Sequence, residues 1–425
     1  MIKIMIKTAP HGQQDLEGEK YPVIDIRIMT DPMNYVFISP AYPITYTYFC
    51  ERLHDLGVNV LGIGDYPYDA LDDELKSSLT EYYYVDSLED YDKVYRACAF
   101  FIHKYGRIDW LESLNEYWRR SDSMLRTDYN IGVGTRTDKI DELVRKSEMK
   151  RVFISAGIPT ARQHIVSDLS SGKTFTADVG YPVIVKPDTG VGANGAMKIR
   201  TEEELIDFYN DLPDEPYVME EFLEGDICTY DAVIDSHCDP LFESMCTYPP
   251  VIDSVNNDED IHYYTSPEIP EKLRVLGRKT VKAFGADRRF VHFEFIQLKK
   301  KYDGIGDAGD FALMEVNMRP AGGHDPDMMN VAQSVDVFRI YAEMVTRDMR
   351  ESQESGEKFY CAYAARKDGH AFTHSHGEIM ERYGSDIVIQ EEMPPIDWPS
   401  MGRYVYMAKF KGKEEMDGYF RFVLE

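Results

Sequence analysis

Cysteine is scarce in this chain. The six present are Cys50, Cys98, Cys228, Cys238, Cys246 and Cys361, and no two stand in a CxxC spacing. That excludes a disulfide framework or a thiolate metal knuckle, and fits reduced thiols in a cytoplasm. Positive charge is also in deficit, with 47 Lys and Arg against 75 Asp and Glu and a formal net charge of −28. Nucleic-acid and anionic-membrane partners, which need a basic surface, are excluded on that ground. A nucleotide is not, because a few placed lysines and a divalent cation hold phosphates locally. Most of the acidity reads as solubilising surface. No apolar run reaches the length of a membrane span, and MIKIMIKTAP lacks the apolar core and small-residue cleavage site of a signal peptide, so no membrane partner is expected. Internal repeats and low-complexity segments are absent. There is no GxxxxGK[ST] phosphate loop, and the GIG at 62–64 lacks the third glycine and the helix start of a dinucleotide fingerprint, which excludes NAD there.

What is present is a well-packed globular composition, 43% hydrophobic over 425 residues. That length calls for about two to four domains or subdomains. Residues 1–33 hold two β-like runs, Ile2–Ile6 and Val23–Met29, which pair naturally as an added hairpin. From Tyr35 strands alternate with helices: YVFISP, then TYTYFCERLHDLG closing at Gly57, VNVLGIG, an acidic helix near 70–79, YYYVD, a helical stretch from Glu89 to Tyr105, and IDWLESLNEYW with strand-to-turn character. Such alternation implies a parallel sheet with helices on both faces, a Rossmann-like layer. A single helix is predicted over about 138–156, capped by Asp138 and stopped by Gly157 and Pro159. The reading divides the chain into 1–137 with its hairpin extension, 138–350 with a flap at about 160–220, and a small α+β element at 351–425.

Four segments carry chemistry. In FALMEVNMRPAGGHD, residues 311–325, Glu315, Asn317 and Arg319 fall at every second position of a strand and share one face, while Met314, Val316 and Met318 line the other. In YPVIVKPDTGVGANGAMKI, residues 181–199, a buried strand ends in Lys186 and a loop follows with Gly190, Gly192 and Gly195. It reads either as a flap over phosphates, where glycines let backbone N–H groups approach oxygens, or as a plain mobile hairpin. In YVMEEFLEGDICTYDAVI, residues 217–234, one of the adjacent Glu220 and Glu221 must point inward, and the strand end with Leu223 suits the edge of an adenine ring. An exposed acidic hairpin is the bland alternative. In RRFVHFEFIQLKK, residues 288–300, Phe293 and Phe295 face the core, and His292 and Glu294 face away. The loop KKKYDGIGDAGD joins this strand to the first, so Glu294, Glu315 and Asn317 converge as hard oxygen donors of the kind Mg²⁺ prefers.

In this order the four segments resemble the ATP-grasp superfamily of ADP-forming ligases, related to the ATP-binding domains of biotin carboxylase and carbamoyl phosphate synthetase. The resemblance covers about residues 35–345, most strongly 140–325, and the strand pair HFEF and LMEVNMRP carries it most closely. It implies an ATP-grasp fold of α/β and α+β character, behind a Rossmann-like N-terminal domain and before the small C-terminal element. It implies ATP and Mg²⁺ as cofactors, with Mn²⁺ as an alternative ion. Counting back from AGIPTAR, the first phosphate lysine is Lys146, with Lys150 as a second match, and the other is Lys186. The Glu220 side chain and Glu221 carbonyl would take the adenine amine, and the Leu223 N–H a ring nitrogen. Where many members hold the ribose with a glutamate, this chain has Ile227, and Asp226 or Asp231 is the substitute. Glu294, Glu315 and Asn317 are the implied metal ligands, and Arg319 touches the transferred phosphate or acyl intermediate.

The implied reaction joins a small-molecule carboxylate to an amine through an acylphosphate. His324 and Asp325 are candidates for contacting the substrate or its amine, against a plain turn capping the next helix. A glutamate base after the arginine and a biotinyl-carrier segment are both missing, which disfavours bicarbonate activation. A nucleotide-binding protein without turnover is the remaining alternative. The histidines of GHAFTHSHGE, namely His370, His374 and His376, lack a carboxylate or cysteine partner nearby in sequence and read as a solvated loop. A homo-oligomer is left open.

Overall fold

The computed structural model describes residues 32–190, 195–249 and 260–425, together with the backbone of four short strands between Lys3 and Met29. Lys3–Thr8 pairs antiparallel with Ile24–Met29, the hairpin expected at the N-terminus.

The first layer is a parallel four-stranded sheet in the order Glu81–Tyr84, Asn59–Gly64, Asn34–Ile38, Trp110–Glu112. Asn34–Ile38 is buried along its whole length, as a strand covered on both faces must be. Its side chains alternate between two cores. Tyr35 and Phe37 pack with Phe49 and Leu53 of the helix Tyr46–Asp55, and Val36 and Ile38 pack with Val94, Ala97 and Phe101 of the helix Tyr91–Tyr105. The first of these cores also takes in Phe338 and Tyr341 from the helix Val337–Arg347, and the Tyr35 and Tyr341 hydroxyls meet at 2.8 Å. The layer is thus docked by a shared core onto a segment 300 residues later.

A second sheet is antiparallel, in the order Met197–Ile199, Val183–Pro187, Tyr217–Glu221, Gln163–Ile165, with the helices Leu169–Val179 and Glu202–Asn210 packed on its apolar side. The third and largest has nine strands. Phe311–Asn317 pairs with Arg289–Leu298, which pairs with Gly225–Ile234, and the sheet continues through Cys246–Tyr248 and Ile261–Thr265. The three C-terminal strands, Tyr360–Arg366, Tyr404–Phe410 and Ile387–Glu392, extend this same sheet rather than forming one of their own. Among the described residues, no helix is long and apolar enough to cross a membrane.

Two local differences from the sequence reading matter for the site. The helix expected over 138–156 is two helices, Asp141–Val144 and Lys146–Ser155, broken at an extended Arg145. Asp188 causes the break. Its carboxylate accepts from the Ser147 N–H at 2.8 Å, the Ser147 hydroxyl at 3.0 Å and Arg145 Nε at 2.9 Å, so a residue from the flap caps the second helix. The alternation through 311–317 is interrupted as well. Glu294 stands opposite Glu315 but Phe295 stands opposite Leu313, so Met314 is the extra residue of a β-bulge. Met314 and Met318 are accordingly only half-buried, while Val316 is in the core.

The nine-stranded sheet is strapped across its C-terminal half by His324. Nε2 lies 2.5 Å from Glu391 Oε1, and Nδ1 lies 3.1 Å from Asp327 Oδ2. Burial lowers the imidazole's pKa, but the hydrogen bonds to Asp327 and Glu391 outweigh it and raise it from 6.5 to about 9. A raised pKa means that the imidazolium's contribution is complete below the ordinary value and is lost as pH rises through about 9. His324→Gln should therefore lower the unfolding midpoint at pH 6. The gap to wild type should narrow by on the order of 2 kcal/mol by pH 10, after allowance for the half-exposed Glu391. Denaturant unfolding of both proteins at the two pH values checks this, and a pH-independent gap would show that the strap is not ionic.

Candidate active site

Glu294 and Glu315 are direct cross-strand partners, and His292 stands opposite Asn317 one step along. Cross-strand partners on one face have β-carbons about 5 Å apart, so the two carboxylates share one small volume. The bulge at Met314 is what permits this. Leu313 and Val316 both enter the core, and Glu315 and Asn317 are left together on the opposite face. Burial raises the Glu294 pKa, but His292, then Arg319 and Lys186, outweigh it and hold the carboxyl below its ordinary range. Glu315 is pushed up, first by burial and then by the charge of Glu294. Two carboxylates that oppose each other's ionisation, with an amide oxygen on the same face, are a hard-oxygen donor set short of one cation. The residues present fit Mg²⁺.

Cations surround the pair. His292 Nε2 lies 3.4 Å from Glu294 Oε1, and its Nδ1 lies 2.7 Å from Asp231 Oδ1. Burial lowers the pKa of this imidazole, but Asp231 and Glu294 raise it to about 10, so it is an imidazolium at neutral pH. Asp231 itself is wholly buried and bonded to Thr229, which places it beneath the metal face and away from the ribose role considered for it. Lys186 projects from the end of Val183–Pro187. Burial lowers its pKa, yet Glu220 and, behind it, Glu315 and Glu294 raise it overall. Lys146, at the start of its helix, approaches Glu315 closely enough to oppose its upward shift without reversing it, and its Nζ lies 3.4 Å from the Gly190 carbonyl.

The hinge strand Tyr217–Glu221 places its two glutamates on opposite faces. Glu221 makes a two-pronged bond with Arg162, at 2.9 and 3.0 Å. Glu220 turns inward and is shared: Lys150 Nζ lies 2.8 Å from one oxygen, Lys186 Nζ 2.7 Å from the other, and Gln163 Nε2 donates at 2.9 Å. Sequence reasoning assigned this side chain to an adenine amine, whereas here it holds the two lysines. Lys150, the second-choice match for a phosphate lysine, is buried and also bonded to Thr160 and the Ala161 carbonyl. Of the two candidates, Lys146 is the one left toward the cleft. Leu223 packs with Ala161, Leu298 and Ala312 in an apolar cluster beside the hinge. Asp226 is ion-paired with Lys299 at 2.7 Å, and Ile227 lies between Tyr248 and Ile296 in the sheet. Gly195 has φ +73°, and a Cβ there would meet Pro187 Cγ at 2.9 Å, so only glycine fits the flap's return. Gly192 lies outside the described residues.

Two residues that sequence reasoning passed over complete the arrangement. Arg319 donates from Nη2 to Glu116 Oε2 at 2.6 Å, and Arg119 donates from Nη2 to Glu116 Oε1 at 2.7 Å and from Nη1 to Asn317 Oδ1 at 3.2 Å. Glu116 and Arg119 follow the strand Trp110–Glu112, in IDWLESLNEYWRR. The available signal was their place just past the carboxyl end of a parallel strand, where ligands gather in open α/β sheets. Arg319 Nε is buried and has no acceptor. With Arg119, Ser113, Leu114, Asn115 and Met318 it lines a small pocket next to the carboxylate pair. Asp325 is buried, with Oδ2 bonded to the Tyr248 hydroxyl and Oδ1 without a partner, and it is close enough to Asp231 and His292 to feel both charges. His324 is engaged in the strap described above.

Comparison with known proteins places this geometry. The sequence pattern of the family described as "Carbamoyl-phosphate synthase L chain, ATP binding domain" matches residues 145–219, the segment from the capped helix to the hinge. The carbamoyl phosphate synthase large chain, C-terminal section, of Methanopyrus kandleri is 24% identical over 165 residues, 34% of this chain and 30% of that protein. This chain therefore spans under a third of the length of that relative. Similarity in three dimensions extends much further. The L-amino acid ligase of Bacillus licheniformis superposes with a TM-score of 0.66 at 13% identity, covering 92% of this chain and 97% of that one. The biotin carboxylase domain of the 2-oxoglutarate carboxylase of Hydrogenobacter thermophilus, solved with MgADP and bicarbonate, gives 0.64 at 17% identity over 91% and 88%.

The Lys150–Glu220–Lys186 cluster generates a stability prediction. Glu220→Gln keeps the shape but leaves buried Lys150 without its carboxylate partner and Lys186 with only the more distant Glu315 and Glu294. It should cost about 3–5 kcal/mol in urea unfolding. A loss under about 1 kcal/mol would show that the lysines find another carboxylate.

Proposed function

We propose that this chain, which has the ATP-grasp fold, is an ATP- and Mg²⁺-dependent, ADP-forming ligase that joins a carboxylate to an amine through an acylphosphate. The observation that carries the reading is the direct pairing of Glu294 with Glu315, with Asn317 and Arg319 following on the same strand and Lys186 and Lys146 opposite. Mn²⁺ offers the same hard-oxygen chemistry and is an alternative ion. A cytoplasmic location accords with the reduced, scattered cysteines.

When bound, the ion supplies charge neutralisation at the nucleotide's terminal phosphates. The chain's own groups do the rest. Lys186 and Lys146 approach from the flap side and offset charge on the transferring phosphoryl group. They are fixed in advance, Lys186 by Glu220 and Lys146 by the Asp188-capped helix start, so little reorganisation accompanies the reaction. The hinge backbone at Glu221 and Leu223, with the apolar cluster around Leu223, suits the adenine. Asp226 is retained for the ribose. Arg319 and Arg119, tied to one Glu116 carboxylate, are the cations that would face the substrate acid. The orphaned Arg319 Nε is the donor left for its carboxylate or for the departing phosphate. The flap, held at its root by Asp188 and Gly195, would exclude water from the acylphosphate. Asp325 and His324, which follow Arg319, are retained for the substrate or its amine, and among the described residues Asp325 Oδ1 has no partner and is the acceptor suited to the amine.

The test is ADP release by the purified chain with Mg²⁺, ATP and pools of amino acids and other carboxylates, followed by product mass measurement. Release dependent on a carboxylate and an amine, with a condensed product, is the expected outcome. Bicarbonate-stimulated release without an amine would point to carboxyphosphate chemistry, and ATP binding without any release would sink the ligase reading. Glu315→Ala should lower turnover by at least about 100-fold, the scale of losing a preorganised charge contact, while its circular dichroism spectrum stays that of wild type. Near-normal turnover in this variant would remove the magnesium assignment.

A further inference from the structure

The three histidines of GHAFTHSHGE take no part in the site above. Among the described residues, no group of three or more His, Cys, Asp or Glu side chains gathers to hold a metal. They separate in the fold. His374 stacks on Phe422 with ring centroids 3.7 Å apart. His370 and His376 line a pocket of about 420 Å³ in the C-terminal part of the chain, shared with Arg366, Phe372, Tyr404 and Tyr406.

Arg366 is the feature that requires explanation. It ends the strand Tyr360–Arg366 and is only 6% exposed. Its Nε donates to the Val423 carbonyl at 2.8 Å, and its guanidinium rests on the Phe372 ring, 4.2 Å from the centroid. Nη2 is buried and has no acceptor. A buried charged donor without a partner is destabilising, and an acceptor supplied from outside would relieve that. Among the described residues, the acids nearby are committed elsewhere. Asp368 pairs with Arg403 at 2.9 Å, and Asp260 takes the Lys367 backbone N–H at 2.8 Å and His370 Nδ1 at 3.1 Å. In a chain of net charge −28, this pocket is floored by an arginine with an open donor, and the one carboxylate on its described wall, Asp368, is paired with Arg403, so the open donor favours negative charge. The tyrosine and phenylalanine rings give the same pocket a flat apolar wall, and Tyr404 is exposed along it.

We propose that this pocket is a second ligand site, separate from the nucleotide cleft, that binds a small organic oxyanion: a carboxylate or phosphate carried on a planar apolar body. The oxyanion accepts from Arg366 Nη2, and the planar body lies along Tyr404 and Phe372. The strand that ends in Arg366 also carries Tyr363, on its opposite face, with its ring 6.2 Å from that of His324. The strand that carries the site therefore also touches the strap at His324.

Isothermal calorimetry on the full chain tests this with phenyl phosphate and benzoate as ring-bearing oxyanions and with inorganic phosphate and acetate as bare ones. Each is titrated with and without saturating ATP and Mg²⁺. Saturable one-to-one binding of phenyl phosphate or benzoate, unchanged by nucleotide, is expected, and the stronger of the two assigns the anion as phosphate or carboxylate. Arg366→Gln should weaken it at least about tenfold, the scale of one lost charged hydrogen bond. Tyr404→Ala, at the rim, should weaken it about threefold without shifting the unfolding midpoint. If Arg366→Gln does not fold, Tyr404→Ala and His376→Ala decide the matter. No saturable binding of either ring-bearing anion, competition by nucleotide, or binding indifferent to these substitutions would each overturn the proposal.

Discussion

Two glutamates stand opposite each other on adjacent strands, each only partly exposed, and nothing on their own strands neutralises both. Much of the surrounding chain is intelligible as a response to that constraint. His292 is charged because it is wedged between Glu294 and Asp231. Glu294 is kept ionised by that imidazolium, while Glu315 is left pushed up by burial and by its neighbour. The pair is thus unequal, with Glu294 held low by the protein's own cations and Glu315 pushed up. A site fully neutralised by its own residues would have no use for a divalent ion, and one with neither charge satisfied would resist folding.

The remaining cations are kept from collapsing onto the pair by carboxylates of their own. Glu220 tethers Lys186 and Lys150, and Glu116 tethers Arg319 and Arg119. Each tether joins chain segments far apart in sequence, so each fixes the relative placement of whole elements. Glu116 does this between the N-terminal parallel sheet and the end of the Phe311–Asn317 strand. Buried ion clusters of this sort add little net stability over an apolar core, because desolvation offsets most of the attraction. What they supply is position, and position is what phosphoryl chemistry requires of a protein.

The chain's elements were legible where periodicity is strict. The buried strand at 34–38, the helix at 46–55, the strand ending in Lys186 and the joined pair around KKKYDGIGDAGD all lie where alternation and turn residues put them. The carboxylate face of Phe311–Asn317 was legible too, but for an incomplete reason. Plain alternation would have set Leu313 and Glu315 on the same face, and the bulge at Met314 separates them. A bulge is a property of pairing with a second strand, and one strand's sequence does not contain it. The helix break at Arg145 escaped for a similar reason, since the carboxylate that makes it, Asp188, comes from the flap. Glu116, Arg119 and the sharing of Glu220 are tertiary facts of the same class. Composition sees their charges, but only the docking of the sheets gives them partners.

The contrast between short sequence matches and a likeness that spans the whole fold has a physical reading. The family pattern matches only 145–219, a stretch with several residues of narrow choice: the cap at Asp188, the lysine at the strand end, a glycine at +73°, and the inward Glu220. Elsewhere the fold asks only for apolar residues of suitable volume, and those interchange readily. Arg119, Arg319 and Asp325 all lie outside the stretch that the family pattern matches. A protein that merely held nucleotide would be free to discard Glu315, whose ionisation burial and Glu294 both oppose. Replacement by a neutral or apolar side chain would relieve that opposition at no cost to adenine contacts. Its presence beside Glu294, with Arg319 still tied in by Glu116, is better explained by selection for charge that moves during a reaction than by selection for binding alone.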